Sequence, residues 1–171
     1  MRELKGKIRE VPDFPKPGIL FYDITTLLRD PKGFRLAIDT LANPYKGDRV
    51  DVVVGVESRG FILAAAVADR LGAGFVPVRK PGKLPSKALT EAFHLEYGSD
   101  ALEIHEEAVA PGQRVLVVDD VLATGGTARA TANLVKRLGA ELIGMAFLIE
   151  LLALKGRDQL ESECVFSVLQ Y

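Results

Sequence analysis

The stretch VLVVDDVLATGGT, residues 115–127, places four apolar residues directly before two carboxylates, Asp119 and Asp120. A turn of small residues follows, and helical spacing begins at Thr127. A short apolar run rich in valine is typical of a parallel strand that is buried on both faces. The stretch therefore predicts a strand over 114–118, a turn, and a helix over 127–138 that Gly139 ends.

The same rhythm of strand, loop and helix extends outward in both directions. Further strands are predicted over 50–56, 74–78, 141–149 and 165–169, and a further helix over 61–71. Strands that alternate with helices give right-handed crossovers and a mainly parallel, twisted sheet flanked by helices. We therefore expect a single α/β domain whose ligands bind at the carboxyl ends of the strands.

Composition narrows the function classes. The chain has 171 residues and a net charge of −1, and this balance argues against a general nucleic-acid-binding protein. One cysteine excludes a disulfide framework within the chain, and two histidines leave few ligands for zinc. The sequence shows no secretory signal and no apolar run that could span a bilayer. We expect a soluble cytoplasmic protein without a membrane partner.

The loop after the 114–118 strand is suited to a sugar phosphate. Free backbone N–H groups and two threonine hydroxyls at a helix start favour a phosphate. Carboxylates repel a phosphate, so Asp119 and Asp120 suit hydroxyl donors such as those of a ribose. A turn with an ordinary N-cap and solvated acids is the alternative, but the length of the pattern favours the ligand. Neither a G-x-G-x-x-G nor a P-loop motif is present.

Three other segments each leave two interpretations open. Arg59 stands at a helix start, where a cation is unfavourable unless an anion lies beside it; the alternative is a surface arginine that contacts Glu57. The run RKPGK, residues 79–83, could neutralise an anion or form a solvated face. Residues 84–98 predict a long mobile loop or hairpin, in which Glu96 is either a solvated acid or a functional one.

The segment 115–127 closely resembles the signature of the type I phosphoribosyltransferases. Further matches point to the adenine branch of that family, and they are FPKPGILFYDI at 14–24, ESRGF at 57–61, RKPGKLP at 79–85, LEYG at 95–98 and FSVLQY at 166–171. The resemblance covers essentially the whole chain in the right order. It implies transfer of a phosphoribosyl group from phosphoribosyl pyrophosphate to adenine, giving AMP and pyrophosphate in purine salvage.

The resemblance also implies a set of residues that bind the sugar donor. The 5′-phosphate would lie on Ala123, Thr124, Gly125, Gly126 and Thr127, with the ribose hydroxyls on Asp119 and Asp120. The diphosphate would be bound by Ser58, Arg59, Lys80 and Lys83, and by Arg79 from across a homodimer interface. A non-proline cis peptide is common in the 57–60 loop of such enzymes. Mg²⁺ would be held mainly by substrate oxygens and water, with few or no direct protein ligands.

A small N-terminal hood, residues 1–30, would cover the base. In the family, the backbone at positions matching Leu20 and Tyr22 reads the adenine edge, Phe21 stacks on one face and Val121 covers the other. Tyr22 stands where some relatives have arginine. Glu96 would be the catalytic carboxylate that takes the adenine proton when the 84–98 segment closes, with Arg59 acting on the diphosphate.

Two other functions remain as alternatives. A nucleotide-sensing regulator can use the same fold, although the short segment before residue 14 has no room for a helix-turn-helix. The enzyme could also act on xanthine or guanine. Three residues outside these motifs are expected to have structural roles only: Cys164 as a buried thiol, His105 on a helix surface, and Arg157 at the end of a helix.

Overall fold

The computed structural model describes residues 2–95 and 98–171. Its α-helices are α1 (Arg2–Lys5), α2 (Thr25–Arg29), α3 (Pro31–Ala42), α4 (Arg59–Leu71) and α5 (Gly126–Arg137). Its strands are β1 (Arg9–Pro12), β2 (Leu20–Asp23), β3 (Val52–Val56), β4 (Gly74–Val78), β5 (Ala88–Leu95), β6 (Gly98–His105), β7 (Arg114–Leu122), β8 (Glu141–Glu150) and β9 (Val165–Gln170). Short 3-10 helices cover Asn43–Tyr45, Leu152–Leu154 and Gly156–Leu160.

The main sheet has five strands in the order β4-β3-β7-β8-β9, all parallel. Its inner strands are buried on both faces, which explains why their sequences are continuous apolar runs. One face packs against α3 and α4, and the other packs against α5 and the β5–β6 hairpin. The α/β architecture expected from the sequence is confirmed.

Helix α4 lies unusually close to β3. A Cβ atom at Gly55 would stand 2.6 Å from the Cβ of Ala64 in α4. Small residues on both elements allow this approach, which brings the start of α4 against the carboxyl end of the sheet.

The described part of the N-terminal hood contains α1, the antiparallel pair β1–β2 and the short helix α2. Asp23 at the end of β2 accepts hydrogen bonds from the Thr25 amide and from the Arg9 side chain, and these bonds hold the pKa of Asp23 at about 2. The ring of Tyr22 packs against Tyr171, with centroids 4.0 Å apart. The hood is therefore joined to the region just after β9.

The segment after β4 forms an antiparallel hairpin of β5 and β6 rather than an irregular loop. It lies against α5, where the Glu91 carboxylate accepts hydrogen bonds from Asn133 Nδ2 and Arg137 Nη1, both at 2.8 Å. Glu96, predicted to be catalytic, lies outside the described residues.

Two strand and helix boundaries differ from prediction in ways that affect the site. Strand β7 continues to Leu122, so Asp119 and Asp120 belong to the strand and not to the loop after it. The register of β7 with β8 continues past them, from Asp119 opposite Phe147 to Leu122 opposite Glu150. Helix α4 begins at Arg59, two residues before the predicted start, so Arg59 and Gly60 belong to its first turn.

Three predictions for residues outside the motifs were wrong. His105 is the last residue of β6, opposite Ala88, and not on a helix. Cys164 is exposed, because it lies just before the edge strand β9 rather than inside it. Arg157 lies within the short helix Gly156–Leu160 and does not end an α-helix. Among the described residues, no helix is long and apolar enough to cross a membrane.

Candidate active site

The candidate site lies where β4, β3 and β7 end at the same edge of the sheet. Val56 of β3 is in register with Val78 of β4, and Gly55 is in register with Val118 of β7. The residues that follow these positions, beginning with Glu57, Arg79 and Asp119, therefore converge.

Asp119 and Asp120 form a buried carboxylate pair, 9% and 8% exposed. Burial, followed by the charge of Asp120, raises the pKa of Asp119 well above its ordinary value. The Asp119 Oδ1 atom accepts a hydrogen bond of 2.9 Å from the Asp120 amide. A side chain at Gly60 would clash with the same oxygen, so glycine at this position leaves room for the carboxylate against the start of α4. Buried acids of this kind are suited to accepting hydrogen bonds from ligand hydroxyls.

The loop between β3 and α4 contains a cis peptide bond between Glu57 and Ser58, as the family resemblance implied. Ser58 is exposed at the start of α4, and its side chain does not cap the helix. Arg59 extends to the carboxylate pair, with Nε 2.5 Å from Asp120 Oδ2. The guanidinium also lies over the Phe21 ring, 5.1 Å from its centroid. Arg59 therefore links the hood to the carboxylate pair and does not contact Glu57 as the alternative required.

The basic segment 79–83 is bound to the end of β3 by ion pairs with Glu57, whose side chain is 8% exposed. Glu57 accepts from Arg79 Nε at 3.0 Å, from Lys83 Nζ at 3.0 Å and from the Lys80 amide at 3.0 Å. Burial alone would raise the pKa of Glu57, but these three donors outweigh it and lower the pKa. Lys80 Nζ pairs with Asp100 Oδ2 of β6 at 2.9 Å. Lys80 and Lys83 remain about half exposed, at 55% and 49%, but all three cations are held at the site edge by these carboxylates.

The turn from β7 to α5 has the geometry of an anion site. Gly125 has φ +89°, a left-handed conformation that favours glycine, and no side chain caps the first turn of α5. The first amides of a helix lack partners within the helix, and here they begin six residues after Asp120. Thr124 is exposed, while Ala123, Gly126 and Thr127 are half-buried.

The four residues expected to contact the base differ from one another in burial and in the side chains that they contact. Phe21 is half-buried and meets Phe14 edge-on at 5.1 Å between ring centroids. Leu20 is 43% exposed, Tyr22 packs on Tyr171, and Val121 is half-buried in β7. Through Arg59, the structure brings Phe21 next to Asp120.

Sequence reasoning missed the roles of Glu57, Asp100 and Gly60. A buried carboxylate between basic residues could have been suspected at Glu57, because it directly follows a buried strand. Asp100 gave no local signal, since it meets Lys80 only through the pairing of β6 with the region after β4. The need for glycine at position 60 becomes visible only in the structure, where a Cβ atom there would clash with Asp119 Oδ1.

Comparison with known proteins agrees with this geometry. The phosphoribosyl transferase domain family matches residues 24–169. The chain is 60% identical over 168 residues to an adenine phosphoribosyltransferase of Acidobacterium capsulatum, covering 98% of this chain and 93% of the relative.

Two solved structures are also similar over nearly the full length. An adenine phosphoribosyltransferase of Rhodothermus marinus has a TM-score of 0.95 and 55% identity, covering 99% of this chain and 97% of that one. One from Saccharomyces cerevisiae, in complex with an imino-altritol bisphosphate and adenine, has a TM-score of 0.93 and 43% identity, covering 98% and 97%. The uncapped turn before α5 and the carboxylate pair fit the family, and these similarities over the full chain place this protein in the adenine phosphoribosyltransferase family.

Proposed function

We propose that this chain transfers the 5-phosphoribosyl group of phosphoribosyl pyrophosphate to adenine, giving AMP and pyrophosphate. In this reaction N9 of adenine bonds to the anomeric carbon of the ribose, the bond from that carbon to pyrophosphate breaks, and the N9 proton is lost. The reaction is a step of purine salvage.

The observation that supports this function best is the adjacency of two unlike groups at one sheet edge. The uncapped start of α5 attracts a phosphate, and Asp119 and Asp120, seven and six residues before Gly126, accept hydroxyl donors. A ribose 5-phosphate has these two groups at opposite ends. We assign its phosphate to Ala123–Thr127 and its hydroxyls to the carboxylate pair.

The pyrophosphate group is assigned to the two basic regions that border this pair. Ser58 and Arg59 follow β3, the strand beside β7, and Arg79, Lys80 and Lys83 follow β4, the next strand on the same side. Charge builds up on the leaving pyrophosphate as its bond to the sugar breaks, and fixed cations stabilise that charge. In the family resemblance Arg79 acts on the site of a second subunit, whereas in this chain it also orients Glu57.

The base is assigned to the space between hood and sheet. Phe21 stacks on adenine, the backbone of Leu20 and Tyr22 reads its edge, and Val121 of β7 covers the other face. A main-chain pattern that matches an amino donor beside a ring nitrogen leaves 6-oxopurines with unpaired polar groups. Glu96 takes the proton from the purine, a role that rests on the family resemblance alone.

Mg²⁺ fits this site as an ion held mainly by substrate oxygens and water. Asp120 is paired with Arg59, so this carboxylate already has a cationic partner. When bound, the ion neutralises diphosphate charge and orients the leaving group. The residues of the chain bind and orient the sugar around it.

We further propose that the enzyme is a cytoplasmic homodimer. An apolar patch supports the dimer: Ile62 of α4 is 45% exposed, and Phe75 of the edge strand β4 is 37% exposed. Phe61 meets Phe75 edge-on, with centroids 5.8 Å apart. A second copy of the chain would cover this patch.

An assay with each purine base tests the function and the phosphate assignment together. The purified protein with phosphoribosyl pyrophosphate and Mg²⁺ should convert adenine to AMP and leave guanine, hypoxanthine and xanthine essentially unchanged. The double variant Thr124→Val, Thr127→Val should raise the KM for the sugar donor by about a hundredfold or more, since two hydrogen bonds to a charged group are lost. Turnover of a 6-oxopurine in preference to adenine would contradict the base assignment, and an unchanged donor KM would contradict the phosphate assignment.

A further inference from the structure

An ion pair lies beside the proposed phosphate loop, outside the motifs already assigned, and it joins a buried carboxylate to an arginine whose side chain is 42% exposed. Glu150 ends β8 with only 4% of its side chain exposed. Arg157 binds it with two parallel bonds, Nε to Oε1 at 2.6 Å and Nη2 to Oε2 at 2.8 Å. The Arg157 Nη1 atom also donates to the Val165 carbonyl at 2.9 Å.

The Glu150 carboxylate has further donors from β9. Ser167 Oγ lies 2.5 Å from Oε2, and Gln170 Nε2 lies 3.2 Å from the same oxygen. The hydrogen bond from Arg157, which is the largest influence, lowers the pKa of Glu150. An ion pair with one exposed partner contributes little net stability, so this network calls for a geometric explanation.

The residue before Arg157 packs directly on the proposed phosphate loop. A Cβ at Gly156 would clash with the Ala123 carbonyl, and a Cβ at Gly125 would clash with the Gly156 carbonyl. The two backbones are therefore in contact without side chains between them. Farther along the same turn, Gln159 Oε1 accepts from Arg129 of α5 at 3.0 Å.

The fixed points of this arrangement lie in the main sheet. Glu150 is paired with Leu122 of β7 on one side and with Gln170 of β9 on the other. Residues 151–156 lead away from the sheet after Glu150. The chain then turns back, so that the Arg157 side chain binds the Glu150 carboxylate. The position of Gly156, and with it one wall of the loop at Ala123–Gly125, is set by this return.

We propose that Glu150 and Arg157 are positioning residues for the loop that binds the 5′-phosphate of the sugar donor. The inference rests on the proposed function, because it assigns a role relative to that phosphate. Neither residue touches the substrate. Their bidentate pair fixes the Gly156 backbone, and Gly156 fixes the amides of the loop in the arrangement that receives the phosphate.

Three variants test the proposal, with steady-state kinetics in both substrates and thermal unfolding of each protein. Arg157→Met removes the pair, Arg157→Lys keeps the charge but loses the two parallel bonds, and Gly156→Ala disturbs the loop while leaving the pair intact. The control is Arg114→Met. Arg114 likewise holds a carboxylate, Glu141 at 2.8 Å, and a carbonyl, that of Arg49 at 2.9 Å, but at the opposite end of β7 and β8.

We expect Arg157→Met and Gly156→Ala each to raise the KM for phosphoribosyl pyrophosphate by about tenfold, because displaced amides bind the phosphate less well. The adenine KM should stay within about twofold of wild type, Arg157→Lys should recover only part of the loss, and Arg114→Met should retain the wild-type donor KM.

Two results would overturn the inference. One is a donor KM unchanged in both Arg157→Met and Gly156→Ala. The other is a loss confined to kcat and melting temperature, as a purely structural role would produce. If Arg157→Met does not fold, Arg157→Lys decides between these outcomes, because it alters the pair itself, whereas Gly156→Ala leaves the pair intact. Failure of the proposed function is distinguishable, because the wild-type protein would then show no donor-dependent turnover of adenine.

Discussion

At the scale of single residues, the site contains a carboxyl group, Asp119, whose burial disfavours its charged form. Asp119 is buried beside Asp120, and its pKa is raised well above the ordinary value. Folding therefore favours the protonated acid, and the protein loses stability as pH rises from the ordinary carboxylic range through the raised pKa. This penalty persists at neutral pH and above. Keeping two acids together for ligand hydroxyls is thus unfavourable for the fold.

Asp119→Asn should separate stability from function. Asparagine keeps the Oδ1 acceptor for the Asp120 amide but has no charge. We expect the free energy of unfolding to rise by about 1 kcal/mol at pH 8, with the gain fading by about pH 4, while turnover falls. Urea unfolding at both pH values, together with the adenine assay, measures this. An equal gain at both pH values would show that the buried charge is not its source.

At the scale of secondary-structure elements, the β5–β6 hairpin is attached to α5, the helix whose start we assign to the phosphate. Glu91 of β5 accepts from Asn133 and Arg137 of α5, and Arg137 also donates to the Thr90 carbonyl at 2.7 Å. On the other side, Lys80 binds Asp100 of β6. The hairpin is thus held between α5 and the basic segment 79–83.

Glu91→Ala should loosen the hairpin locally. Losing its bonds to α5 lowers the free energy of local opening by about 1 kcal/mol, because the lost contacts are partly exposed. Amide hydrogen exchange should become faster in β5 and β6 and stay unchanged in β3 and β7. Glu107→Ala, in the exposed turn after β6, is the matched control. Unchanged exchange in the hairpin would mean that Glu91 does not anchor it.

At the scale of the whole molecule, exposed apolar side chains occur on both outer edges of the main sheet. Ile62 and Phe75 flank the β4 edge, and Leu152 and Leu154 follow β8 near the β9 edge. The first patch also includes the aromatic pair of Phe61 and Phe75. We assign the β4 side to the dimer, because it adjoins the end of β4 from which Arg79 extends.

If the proposed dimer forms through this patch, Ile62→Glu should dissociate it. A buried, unpaired carboxylate in an interface is strongly unfavourable, whereas the same substitution on a free surface changes stability by about 0.5 kcal/mol or less. Light scattering should report the mass of one chain for Ile62→Glu and of two chains for wild type. Leu154→Glu, similarly exposed at 47%, is the control and should keep the wild-type mass. A dimer that survives Ile62→Glu would place the interface elsewhere.

The sequence was most informative where neighbours in the chain are also neighbours in space. The apolar run before Asp119, the turn at Gly125 and the helix after it could all be predicted because strand, turn and helix signals are local. The carboxylate pair was assigned to a loop because two charges rarely continue a buried strand, yet β7 extends through them to Leu122.

Contacts between distant segments could not be predicted from the residues alone. The pairing of Arg59 with Asp120 joins positions 61 residues apart, and that of Lys83 with Glu57 joins positions 26 apart. Arg157 was assigned no chemistry, since its partner Glu150 ends a strand that reads only as apolar core. Such contacts depend on strand order and register, which local patterns do not encode.

The cations of the site are already balanced by acids of the same chain. Arg59 is paired with Asp120, Arg79 and Lys83 with Glu57, and Lys80 with Asp100. An incoming anion must therefore exchange partners with these acids and cannot simply enter an open positive field. Small, abundant anions such as sulfate lack the reach to make all these exchanges at once. Selection among the anions of the cell thus depends on the spacing of charges along the ligand more than on its total charge.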